Sequence, residues 1–138
     1  MRRSLQTWRW LLVLFVPWPA VVQAQRVHEV RIEADAGKEV YRFSPARVTA
    51  RPGDVVLFRA VTGSPHSIVF EGGKLSGGAR EALNGAMTRR SGDLSSPLLT
   101  PDGVEYRMTV PSLPPGAYEF FCLPHRAYDE RGVLQIKK

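Results

Sequence analysis

A chain of 138 residues with 43% hydrophobic and 23% charged content suits one globular domain and lacks the bias of a disordered or fibrous protein. Its net charge of +6 is dispersed rather than gathered in a basic stripe, which argues against nucleic acid as a partner. A single cysteine excludes an internal disulfide.

The first stretch, MRRSLQTWRW, carries arginines and no acid, LLVLFVPWPAVV is apolar, and Val22-Gln23-Ala24 places small residues at cleavage positions. That is the pattern of a secretory signal peptide spanning residues 1–24. The apolar run is about half of the ~20 residues a membrane-spanning helix needs, and Pro17 and Pro19 interrupt it, so no stable insertion is expected after cleavage. Loss of three arginines lowers the net charge to about +3. The mature domain, residues 25–138, is thus expected in the periplasm or outside the cell, as a monomer. In such an oxidising setting a lone Cys122 is buried and inert, paired with another chain, reactive, or bound to metal.

RVHEVRIEAD alternates Val27, Val30 and Ile32 imperfectly with polar residues, as a half-buried strand does. YRFSPARVTARPGDVVLFRAV reads as two strands separated by a turn at Arg51-Pro52-Gly53-Asp54. SPHSIVFEGG is a further β-rich run, with His66 opening the strand. From Leu75 to Gly103 the chain is rich in Gly and Ser and reads as an insertion, with a short helix predicted over Ala79–Met87. VEYRMTV puts Tyr106, Met108 and Val110 on one face; LPPGAYEFFC is a turn and a strand, with Cys122 at its end; GVLQIKK closes the chain as an alternating strand. About seven short strands with turns between them predict an all-β, Greek-key β-sandwich with a loop and short-helix insertion.

His66, Cys122 and His125 are the strong metal donors of this pattern. One thiolate with two imidazoles is the soft, trigonal donor set of a blue-copper electron-transfer centre. SPHSIVFE, followed much later by GAYEFFCLPH and a glycine-led last strand, resembles the plastocyanin and pseudoazurin branch of the cupredoxins, and FSPARVTARPGD resembles their early strand and turn. The resemblance spans nearly the whole mature chain outside the insertion. It implies one copper ion, bound by His66, Cys122 and His125. His28, by contrast, reads as a surface residue.

In that family a methionine stands five residues after the loop histidine and two before a glycine. Here Glu130 occupies the place, with Gly132 two residues on. A shorter loop, as in other branches, would bring Asp129 or Tyr128 there instead. A carboxylate is hard and anionic, so as an axial donor it favours Cu(II) and lowers the reduction potential. The competing expectation turns Glu130 to solvent, paired with Arg126 or Arg131 in an exposed contact of little energetic weight. Met108 reads as core, and Met87, in the insertion, as a gap filler rather than a distant thioether donor.

The function expected is that of a one-electron carrier meeting a redox partner protein. Leu123, Pro124 and the edge of His125 form its docking patch, and Arg126 beside them suits an acidic partner surface. The alternatives are a small redox enzyme with an open copper position and a copper-binding or delivery protein.

Overall fold

The computed structural model describes residues 23–137. Apart from its last two residues, the proposed leader at 1–24 lies outside that range.

Among the described residues the chain forms two four-stranded sheets. Strand β1 (Val27–Asp35) points Val30 and Ile32 inward and leaves their neighbours outside. At its end the Asp35 carboxylate accepts hydrogen bonds from the Gly37 and Lys38 amides, turning the chain into β2 (Val40–Ser44), which pairs antiparallel with β1. The single strand expected from Tyr41 onward is in fact two. Pro45 offers no amide hydrogen for a ladder, so the run breaks, and β3 (Arg47–Ala50) belongs to the other sheet. Strand β4 (Val55–Ala60) is buried almost continuously because it lies between β1 and the later β6. That neighbour, β6 (Glu105–Thr109), buries Tyr106 and Met108, as the alternation predicts.

The second sheet orders β3, β8 (Arg131–Ile136), β7 (Gly116–Phe121) and β5 (Val69–Phe70). The SPHSIVFEGG run supplies only the two residues of β5. His66 stands before it in an isolated bridge to Leu99, so it precedes the strand rather than opening it. Helix α1 (Gly77–Ala86) starts two residues earlier than predicted, because the Ser76 hydroxyl caps it by accepting from the Ala79 amide at 3.2 Å. The insertion then runs back beside β5. Phe70 N–H donates to Leu94 O at 3.0 Å, Ser96 N–H to Ile68 O at 2.9 Å, and Ile68 N–H to the Ser96 hydroxyl at 2.9 Å. Met87 is buried in the core, in keeping with gap filling.

The core lies between the sheets. Phe43 and Phe58 of one sheet meet Phe120 of the other edge to face, with ring centroids 4.9 and 5.4 Å apart. His28 is not a free surface residue: its Nε2 lies 3.0 Å from Asp54, whose carboxylate also accepts from the Arg26 and Arg51 amides. This cluster fixes the turn before β4 to the start of β1.

Candidate metal centre

Two segments, far apart in the chain, meet beyond the strand ends of the two sheets. One is the stretch between β4 and β5 that carries His66. The other is the loop from Cys122 to Glu130, which joins β7 to β8. That loop is closed at its base by the Cys122 amide donating to the Glu130 carbonyl at 3.0 Å. Inside it Arg126–Tyr128 make a single 3-10 turn, stopped by Asp129 at φ +58°, a left-handed conformation that Asp tolerates. The Leu123 amide donates to the Ser67 hydroxyl at 3.0 Å and ties the loop to the residue after His66.

The side chains named by the sequence converge. Cys122 Sγ is 3.4 Å from His125 Nδ1 and 3.8 Å from His66 Nδ1. One Glu130 oxygen, Oε2, is 2.8 Å from His125 Nδ1, and the other, Oε1, is 3.6 Å from His66 Nδ1. All four donor atoms lie within 4.8 Å of one another. His66, Cys122 and Glu130 are fully buried, and the His125 side chain is 13% exposed. Glu130 therefore does not turn to solvent. The arginines offered as its alternatives are engaged elsewhere, Arg126 with Glu71 at 3.1 Å and Arg131 with Asp129 at 2.7 Å. Asp129 and Tyr128, the other residues considered for the fourth place, are exposed.

Each imidazole is oriented from behind. His66 Nε2–H donates to the Thr62 carbonyl at 2.7 Å, which leaves Nδ1 facing the sulfur and the carboxylate. Burial lowers the pKa of this ring, but the Cys122 sulfur, the Glu130 carboxylate and the Thr62 carbonyl outweigh it and push the value up to about 10. His125 rests against Tyr41 of β2, ring centroids 4.6 Å apart, and Tyr41 in turn stacks on Tyr128 of the loop at 4.2 Å. Beneath the loop, Arg126 lies over the Phe121 ring, 4.3 Å from its centroid.

These residues fit a metal ion. Bonds of about 2.0–2.3 Å to nitrogen, oxygen and sulfur hold donors roughly 3–4 Å apart, close to the 2.8, 3.4, 3.6 and 3.8 Å separations of these side chains. Glu130 Oε1 is buried with no hydrogen-bond partner, a costly state for a carboxylate oxygen unless a cation satisfies it. A sulfur and two imidazoles with one hard oxygen suit copper better than calcium or magnesium.

Tyr41, Thr62 and Ser67 escape the sequence reading. Thr62 acts through its carbonyl, which any residue possesses. Tyr41 lies in a strand that shares no motif with the donors. Ser67 has one signal, its place next to His66.

Residues 28–137 match the protein family described as copper binding proteins, plastocyanin/azurin family. The chain is 30% identical to plastocyanin of Dryopteris crassirhizoma over 107 residues, covering 76% of this chain and 99% of that protein. It is 29% identical to the minor plastocyanin isoform of Arabidopsis thaliana over 109 residues, covering 79% of this chain and 57% of that one. The solved structure of oxidized Dryopteris crassirhizoma plastocyanin superposes with a TM-score of 0.63 at 27% identity, over 80% of this chain and all of that one. Pseudoazurin from Methylobacterium extorquens AM1 shares the fold, with a TM-score of 0.53 at 20% identity over 81% of this chain and 76% of that one.

Proposed function

Since the chain belongs to the plastocyanin/azurin family of copper-binding proteins, a cupredoxin binding one copper ion, we propose that it is a one-electron carrier with His66, Cys122, His125 and Glu130 as its ligands. The observation that carries this reading is the meeting of four buried or nearly buried donors within 4.8 Å, one of them an unsatisfied carboxylate oxygen. Bound copper supplies a couple between Cu(II) and Cu(I).

The chain's part is to hold its donors still and dry. The Thr62 carbonyl fixes the His66 ring, the Cys122–Glu130 backbone bond closes the loop, and Tyr41 braces His125. Donors held in this way need little rearrangement when the charge at the centre changes, which keeps the barrier to electron transfer low. Glu130 places a negative, hard oxygen where the family has a thioether, which favours the oxidised state and lowers the potential. Full burial of three donors supports the carrier over an enzyme that admits a small molecule.

His125 is the donor that reaches the surface, beside the exposed Leu123 and Pro124. We place the contact with a redox partner protein there. The half-exposed Arg126 next to it suits an acidic rim on that partner. The arginine-bearing apolar leader supports a periplasmic or secreted location.

Adding Cu(II) to residues 25–138 tests the reading. One equivalent is expected to bind with an intense thiolate-to-copper visible band and a reversible one-electron couple. Stoichiometric copper without that band would contradict it. Rapid loss to a chelator, with no reversible couple, would point to copper delivery instead.

A further inference from the structure

The segment that carries His66 has little regular structure of its own. Between the end of β4 at Ala60 and the start of β5 at Val69, its shape depends on partners from elsewhere. Gly63 makes the turn at φ +71°, and a Cβ there would run into Ala34 of β1. The Thr62 carbonyl, which sets the His66 ring, thus comes from a backbone that sequence-local bonds do not hold.

Strand β1 holds its first part, with Ala34 N–H donating to Thr62 O at 3.2 Å and Val61 N–H to Ile32 O at 2.8 Å, and the end of the insertion holds the part that follows Gly63. Asp102 Oδ1 accepts from the Ser64 amide at 3.0 Å and from the Ser64 hydroxyl at 2.5 Å. His66 and Leu99 exchange both backbone bonds, His66 N–H to Leu99 O at 3.3 Å and Leu99 N–H to His66 O at 2.8 Å. The segment's start is anchored to the residues that follow Asp102, since Gly103 N–H donates to Ala60 O and Ala60 N–H to Val104 O. The insertion and the His66 segment therefore grip one another at Ala60, Ser64 and His66. The insertion supplies none of the four donors.

We propose that Asp102 is a positioning residue for His66: by fixing Ser64 it fixes the turn whose Thr62 carbonyl orients the imidazole. The copper part of this rests on the ligand role assigned to His66; the orientation of the ring does not. Asp102 is on the surface and hydrogen-bonds none of the four donors; its carboxylate also interacts with the charge of His66, and the asparagine variant, which keeps the Ser64 bonds without that charge, separates the two routes. Asparagine keeps an oxygen that can accept both Ser64 bonds, whereas alanine keeps none.

Asp102→Ala and Asp102→Asn, made in residues 25–138, separate this role from simple stabilisation. In the metal-free proteins the His66 Nε2–H proton is followed by nitrogen-resolved magnetic resonance. Asp102→Ala should shift that resonance and speed its exchange with water, and Asp102→Asn should restore both. In the copper-loaded proteins Asp102→Ala should move the thiolate-to-copper band and release copper to a chelator about tenfold faster, the lower end of what loss of an outer orienting group costs. A lowered melting temperature with the resonance and the band unchanged would overturn the proposal. If Asp102→Ala does not fold, Ser64→Ala, which removes one of the two bonds, is read in the same way, and an unmoved resonance overturns it equally. A wild-type protein with no thiolate band would remove the ligand reading, while the metal-free resonance still decides the role of Asp102.

Discussion

Glu130 distinguishes this centre from one closed by a thioether. It is fully buried, its Oε2 sits 2.8 Å from His125 Nδ1, and its Oε1 has no hydrogen-bond partner. Glu130→Gln keeps the size and an oxygen but removes the charge. The reduction potential is expected to rise, and Cu(II) binding to weaken by at least about tenfold. Voltammetry and competition with a chelator measure the two, and an unchanged potential and spectrum would remove Glu130 from the ligand set. His66 yields a second expectation. With a pKa near 10 in the metal-free fold, its imidazole carries a proton at neutral pH, and copper can bind only the neutral nitrogen. Copper uptake should therefore release a proton at pH 7 and strengthen by about tenfold per pH unit as that proton becomes easier to remove. Titration calorimetry in buffers of different ionisation enthalpy reads the proton; a buffer-independent heat contradicts it. The same raised pKa stabilises the metal-free fold below about pH 6.5, and that support is lost as the pH climbs through about 10.

The hairpin of β7 and β8 carries three of the four donors on its connecting loop, so its register aims the site. Gly132 pairs with Phe120, and a Cβ on that glycine would run into the Phe120 ring. Gly132→Ala is expected to destabilise the protein by about 1–3 kcal/mol, the cost of overpacking a filled core. Chemical denaturation measures this, and an unchanged midpoint would show that the ring moves aside freely. Both strands were legible as sequence: β7 ends in Phe-Phe-Cys, and β8 alternates Gly132, Leu134 and Ile136 inward. The split between β2 and β3 was not. Phe43 and Val48 look like one hydrophobic run, and that they face the same core from different sheets depends on a crossing at Pro45. The run after His66 misled for a related reason. Its β-prone residues find their partners in the insertion, so Ile68 bonds to Ser96 and regular pairing is confined to two residues.

Across the whole molecule, the sandwich brings a loop that leaves the β1–β4 sheet against a loop that leaves the β7–β8 hairpin. The pattern of short strands implied the sandwich, and the motifs around His66 and Cys122 implied which residues meet in it. The braces behind those residues stayed hidden because they are mostly backbone atoms: the Thr62 carbonyl, the Leu99 amide, the Cys122–Glu130 bond. An ion shared by both loops favours the folded state over the unfolded one. Copper should raise the unfolding free energy by about 4 kcal/mol when free metal exceeds its dissociation constant a thousandfold. Thermal melts with and without copper measure that gain, and Cys122→Ser should lose most of it.

The most direct test of the shared centre is X-ray absorption at the copper edge on residues 25–138 loaded with one equivalent of Cu(II). One sulfur scatterer and two imidazole scatterers are predicted, with the sulfur lost in Cys122→Ser and one imidazole lost in His66→Ala. Copper bound in full with no sulfur neighbour, or with a coordination sphere unaltered by either substitution, would contradict the account.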